Sequence, residues 1–107
     1  MVHKILKDIV PYKHVRFIQT PDEDYAVYFS DKDYSGADEL IALTSENLRI
    51  ELYTKKGNSS NIEKITQRLI DLDMAHTRYE TVWLNNEQVY MTTYMIFDYY
   101  KIKTEED

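Results

Sequence analysis

Residues 48–100 constrain the fold more than any other stretch. Leu48, Ile50 and Leu52 alternate with Arg49, Glu51 and Tyr53, the period-two pattern of a strand with one buried face. Lys55-Lys56-Gly57-Asn58-Ser59 reads as a loop, and Ser60 followed by Glu63 predicts a capping box at the start of a helix. Ile62, Ile65, Leu69 and Leu72 line one side of that helix, with Glu63, Lys64, Gln67, Arg68 and Asp71 outside. Residues 77–84 return to β character. Asn85-Asn86 fits a turn because asparagine tolerates left-handed backbone angles, and residues 88–100 read as one long strand.

The first half is less regular. Val2, Ile5, Leu6 and Ile9 fall at helical spacing, and Pro11 is expected to stop that helix. Val15 and Phe17 suggest a short strand within residues 12–18, and Tyr25-Ala26-Val27-Tyr28-Phe29 is dense in strand formers. Residues 31–37 read as a loop from their Asp, Ser and Gly content, and residues 39–43 as a further short strand. The expected fold is therefore α+β: a mostly antiparallel sheet of four to six strands with two helices packed on one side. Residues 1–103 form a single domain, and residues 104–107 a frayed acidic tail.

Composition narrows the function classes. A net charge of −6, with Lys55-Lys56 as the longest basic cluster, opposes nucleic-acid binding, where phosphates must be neutralised. No apolar run approaches the roughly 20 residues of a membrane-spanning helix. The absence of cysteine excludes disulfides and thiolate metal sites and fits a reducing compartment. There is no Gly-x-Ser-x-Gly elbow, cysteine nucleophile or glycine-rich phosphate loop, so no catalytic residue and no cofactor is expected. Asp22, Glu23 and Asp24 read as a solvated turn, and His3, His14 and His76 lack metal-ligand spacing. Asp31-Lys32-Asp33-Tyr34-Ser35-Gly36 opens like a calcium-binding EF-hand loop, but Asp38 stands where an apolar residue is required and Ala42 where a bidentate glutamate is.

Tyrosine is the stronger lead, with ten in 107 residues, most of them on expected strands. Cross-strand aromatic pairs stabilise sheets. The last strand, however, carries large side chains on both faces: Met91, Met95 and Phe97 on one, Tyr90, Tyr94, Ile96 and Tyr100 on the other. A single helix layer covers only one of these. Tyr90, Tyr94, Ile96 and Tyr100 are therefore candidate contacts with neighbouring proteins, since tyrosine is enriched at interfaces.

Ser35-Gly36-Ala37-Asp38, the segment from Leu48 through Tyr53 to Lys56, and Ile62-Glu63 resemble the small tail-completion, or head–tail joining, proteins of long-tailed phages and prophages of Gram-positive bacteria. Arg78-Tyr79-Glu80-Thr81 and Glu87-Gln88-Val89-Tyr90-Met91 with Tyr94 fit the same family. The resemblance implies a non-enzymatic virion protein, assembled in the host cytoplasm. It would cap the tail tube and dock it to the capsid connector as a hexameric ring, through which DNA passes without sequence recognition. It also implies that Asp31, Asp33, Tyr34 and Asp38 lie in a loop of the kind that orders on assembly. Alternatives remain open: another tail-terminator or neck component, or a small acidic prophage-encoded regulatory or anti-host binding module.

Overall fold

The computed structural model describes residues 2–37 and 40–97, with the side chains of residues 31–37 and 40–46 left out of the description. The chain runs α1 (Val2–Leu6), β1 (Tyr12–His14), β2 (Tyr25–Ala37), β3 (Leu40–Thr54), α2 (Ser60–Asp71), β4 (His76–Arg78), β5 (Val82–Leu84) and β6 (Val89–Ile96). The six strands form one sheet in the order β1-β2-β3-β6-β4, with β5 also paired to β6. All pairings are antiparallel except β1 with β2. The α+β architecture anticipated from the sequence is the one observed. No described helix is long and apolar enough to cross a membrane.

Both helices lie on one face. Val2, Ile5 and Leu6 of α1 and Ile62, Ile65 and Leu69 of α2 bury against Ala26, Leu48, Ile50, Leu52, Tyr94 and Ile96. Register aligns these residues: Leu48 faces Ile96, Ile50 faces Tyr94, and Leu52 faces both Ala26 and Thr92. Side chains alternate across a strand, so this alignment places every one of them under the helices. The Tyr94 ring is fully buried, and its hydroxyl donates to the Ile62 carbonyl at 2.6 Å. Thr66 Oγ1 also donates to that carbonyl at 3.0 Å and receives Arg78 Nη1 at 3.0 Å, tying β4 to the same turn of helix.

The helix ends differ from the sequence expectation. α1 stops at Leu6, ahead of Pro11, because Asp8 adopts a left-handed conformation (φ 64°). Arg68 Nη1 then donates to the Lys4 and Lys7 carbonyls at 3.0 and 3.2 Å, satisfying acceptors that a helix end leaves open. The N-cap of α2 is Ser59, one residue before the expected Ser60, and its hydroxyl accepts the Asn61 N–H at 3.2 Å. Glu63 is thus out of position for a capping box and pairs with Arg78 at 2.9 Å instead. At the other end Asp73 is left-handed (φ 57°), and Met74 N–H reaches the Leu69 carbonyl at 3.0 Å, a Schellman ending that buries Met74.

Several strands also depart from expectation. Residues 31–37 are strand, not loop, and residues 40–43 of the short strand expected at 39–43 are part of a continuous β3, residue 39 lying outside the described residues. The expected strand at 77–84 is split into β4 and β5, which oppose β6 in registers one residue apart. The intervening bulge is held by Tyr79 N–H on the Thr93 carbonyl at 2.8 Å and by a 2.6 Å hydrogen bond shared by the Thr81 and Thr92 hydroxyls. The β5–β6 turn spans residues 85–88, and its left-handed residue is Gln88 (φ 59°) rather than an asparagine. β6 ends at Ile96; residues 98–100 of the expected long strand and the 104–107 tail lie outside the described residues.

Asp24, read from sequence as part of a solvated run, instead fastens β2 to the start of α2. Its carboxylate accepts the Lys55 N–H at 3.0 Å, the Ser59 hydroxyl at 2.6 Å and the Asn61 amide at 2.9 Å. Partial burial alone would raise its pKa, but the hydrogen bonds from Ser59, Lys55 and Asn61 outweigh it, and the carboxyl titrates below its ordinary 3.8. A pKa lower in the folded than in the unfolded state adds stability above the unfolded value, which is lost as pH falls through the folded one. The stability gap between wild type and Asp24→Asn, from urea midpoints, should therefore narrow below pH 3.8. Tyr94→Ala should cost about 3–5 kcal/mol of stability, as large aromatic truncations do, and Tyr94→Phe about 1 kcal/mol from the lost hydrogen bond. Both follow from chemical denaturation.

Candidate functional site

The sheet face opposite the helices carries no helix among the described residues, and three rows of side chains cross it. Register places Phe29, Arg49, Met95 and Thr77 in one row, Val27, Glu51 and Thr93 in the next, and Tyr25, Tyr53, Met91 and Val82 in the third. Tyr25 and Tyr53 stack at 5.0 Å, with 18° between their planes. Phe17 meets Tyr25 edge-on at 5.5 Å. The Arg49 guanidinium lies 4.5 Å from the Phe29 ring centroid, a cation–π contact.

Phe17 reaches this face because of how β1 joins β2. Parallel neighbours require the chain to return before the second strand begins. Val15 makes that reversal in a left-handed conformation (φ 70°), closed by Arg16 N–H on the His14 carbonyl at 2.8 Å. A β-branched residue in this region is strained, and the tight three-residue turn is an uncommon one. The result is a shallow cleft of about 260 Å³ between Val15, Phe17, Tyr25, Phe29, Glu51 and Tyr53. The next loop residue, Ile18, is 98% exposed.

The polar groups at the centre of the face hold one another loosely. Tyr53 donates to Glu51 Oε1 at 2.7 Å, whereas Arg49 Nε stands 3.8 Å from Glu51 Oε2, beyond hydrogen-bond range. That Nε is shielded from solvent and has no acceptor among the described residues. Desolvation, and then the Glu51 carboxylate beside it, push the Tyr53 phenol well above its ordinary value of 10.0.

A second feature is an extension of β2 and β3 along the strand direction. Among the described residues, pairing of β3 with β6 ends at Leu48 opposite Ile96, while pairing of β3 with β2 continues from Ser30–Leu48 to Ala37–Leu40. The paired residues 31–37 and 40–47 thus run on past the described end of β6 as a two-stranded arm, with a register shift between Asp33 and Tyr34. The molecule is accordingly elongated, with extents of 47 × 30 × 25 Å.

The candidate contact residues are dispersed by this arrangement. Tyr94 and Ile96 are fully buried beneath the helices and are core, not surface. Tyr90 is half-buried, 4.9 Å from the Trp83 ring and packed over Gly57, where an added Cβ would stand 3.1 Å from the Tyr90 ring. Asp31, Asp33 and Tyr34 lie on the backbone of the arm in a paired strand, a conformation unlike a coiled calcium loop. Asp38 and Tyr100 lie outside the described residues. The residues that do form the open face, Tyr25, Phe29, Arg49, Glu51 and Tyr53, carry one sequence signal: they alternate with the core residues Ala26, Tyr28, Leu48, Ile50 and Leu52.

A larger cleft of about 650 Å³ lies between residues 57–59, the start of α2 and residues 78–81. Of its charged residues, Glu63 and Arg78 are already paired, and Glu80 is exposed. Among the described residues, no three His, Asp or Glu side chains come together as metal ligands. His3 shares a 2.7 Å hydrogen bond with the Tyr12 hydroxyl, and His76 one of 2.9 Å with the Met74 carbonyl.

Comparison with family models, curated proteins and solved structures yields no match. In a spectrophotometric titration, Tyr53 should remain protonated well beyond the ordinary phenol range. Glu51→Gln should bring its ionisation back toward that range, and Tyr53→Phe should remove one tyrosine's share of the late absorbance change, Tyr25 and Tyr94 being raised by burial as well.

Proposed function

We propose that this chain is a non-enzymatic assembly protein at a phage head–tail junction, completing the tail and docking it to the capsid connector. The projecting arm is the observation that carries this reading. An isolated two-stranded ribbon is marginally stable in water, so an arm of this length gains most of its order from a neighbour. A subunit with an arm at one end and an open aromatic face along its body has two distinct contact surfaces, as a closed ring of head-to-tail subunits requires. The −6 charge suits a lumen through which DNA slides without adhering. The sequence resemblance to tail-completion proteins supplies the particular assembly.

A bare aromatic sheet also suits single-stranded nucleic acid. Glu51 at the centre of the face and the acidic surface oppose phosphate, so protein partners are favoured. A regulatory or anti-host binding module would use the same face but would not need to join a tail.

Replacing residues 32–46 by an Asn-Gly turn tests the reading, because residues 25–30 and 48–53 remain paired. The shortened protein should keep its cooperative melting transition and lose the ability to enter tails, seen by negative-stain microscopy and by co-sedimentation with tail tubes. Tails that are complete in the absence of the protein would refute the assembly role.

A further inference from the structure

We propose that the bare sheet face is the contact surface of a two-fold symmetric pair of this chain, in which Arg49 of each copy meets the partner's Glu51. The inference stands apart from the assembly reading, since it concerns how the free subunit covers its own open face.

A sheet with apolar side chains on both sides needs a layer on each. The helices supply one layer, and among the described residues the other face is covered only at its β1 edge, by the loop through Phe17. Across β2, β3 and β6 the three rows carry aromatic residues, methionines, one arginine and one glutamate, and Lys13 joins the Glu51 row only at the β1 edge, beside Val27. Interface centres share this bias, being rich in aromatic residues, Met and Arg and poor in Lys.

Charge selects the occupant. Arg49 and Glu51 are the only charged residues in those rows across β2, β3 and β6, and they sit in adjoining rows of one strand. A two-fold axis lying in the interface and crossing β3 between them exchanges the rows. Each Arg49 then faces the partner's Glu51, and each Met95 the partner's Thr93. Such an isologous contact is self-complementary, and two sheets packed face to face lie about 10 Å apart. Within the subunit Arg49 Nε stands 3.8 Å from Glu51, beyond hydrogen-bond range, and the Arg49 side chain remains 36% exposed, so its guanidinium is open to the partner's carboxylate.

Charge reversal gives a test specific to this symmetry. Wild-type protein should sediment as two chains across the micromolar range. Arg49→Glu places like charges opposite each other twice, and so does Glu51→Arg; each variant alone should sediment as one chain, with a native near-ultraviolet circular dichroism spectrum. An equimolar mixture of the two restores both pairs and should regain the two-chain species. If either variant fails to fold, the decision falls to Thr93→Cys mixed with Met95→Cys, in a chain that otherwise lacks cysteine. A short bis-maleimide should join that mixture into a covalent pair. A wild type of one chain or of six, variants that stay paired, a mixture that stays unpaired, or cysteines that fail to cross-link would each overturn the proposal.

Discussion

The hydrogen bond from Tyr94 to the Ile62 carbonyl sits where helix, sheet and edge strand meet, and the rest of the surface follows from it. Tyr94 buries a large ring in the middle of β6, and that ring is tolerated only because its hydroxyl finds a carbonyl under α2. With Tyr94 committed to the helices, alternation commits Ile50, Leu52 and Ile96 to the same side. Arg49, Glu51, Tyr53, Met91 and Met95 are thereby turned to the opposite side. The open face is thus a consequence of core packing, and its chemistry is written into the residues between the core positions.

The elements readable from sequence are those whose signal is local and periodic. Leu48, Ile50 and Leu52 declare a half-buried strand, and Ile62, Ile65 and Leu69 a helix, without reference to anything else. For β6 both faces carry large apolar residues, so periodicity gives the strand but not its inner side. That choice depends on register with β3, between residues as distant in the chain as Leu48 and Ile96. The arm was hidden for a related reason: Asp, Ser and Gly weaken a strand signal, and pairing with residues 40–46 overrides it. Asp24 looked like one more solvated carboxylate because its partners, Ser59 and Asn61, are distant in the chain. Val15 gave the opposite cue: with Phe17 it reads as strand, yet β1 ends at His14 and Val15 makes the turn, although valine is among the residues least suited to one.

The strained turn at Val15 and the aromatic stack at Tyr25 and Tyr53 belong to one design. The parallel placement of β1 forces the return loop across the bare face, and that loop delivers Phe17 to the flank of the stack. Backbone strain of this kind persists only where the surrounding packing holds it. Here the holding contacts are Val15 N–H on the Tyr28 carbonyl and the Phe17–Tyr25 ring contact. One flank of the contact surface is in this way built in place.

The arm has a mechanical consequence. Both of its strands continue inward as β2 and β3, which occupy neighbouring inner positions of the sheet. Tension applied at the tip acts along these strands, so the hydrogen bonds joining β3 to β6 over residues 48–54 bear the load together in shear instead of opening one at a time. A protein anchored through such an extension would hold under force that a peripheral loop would not withstand.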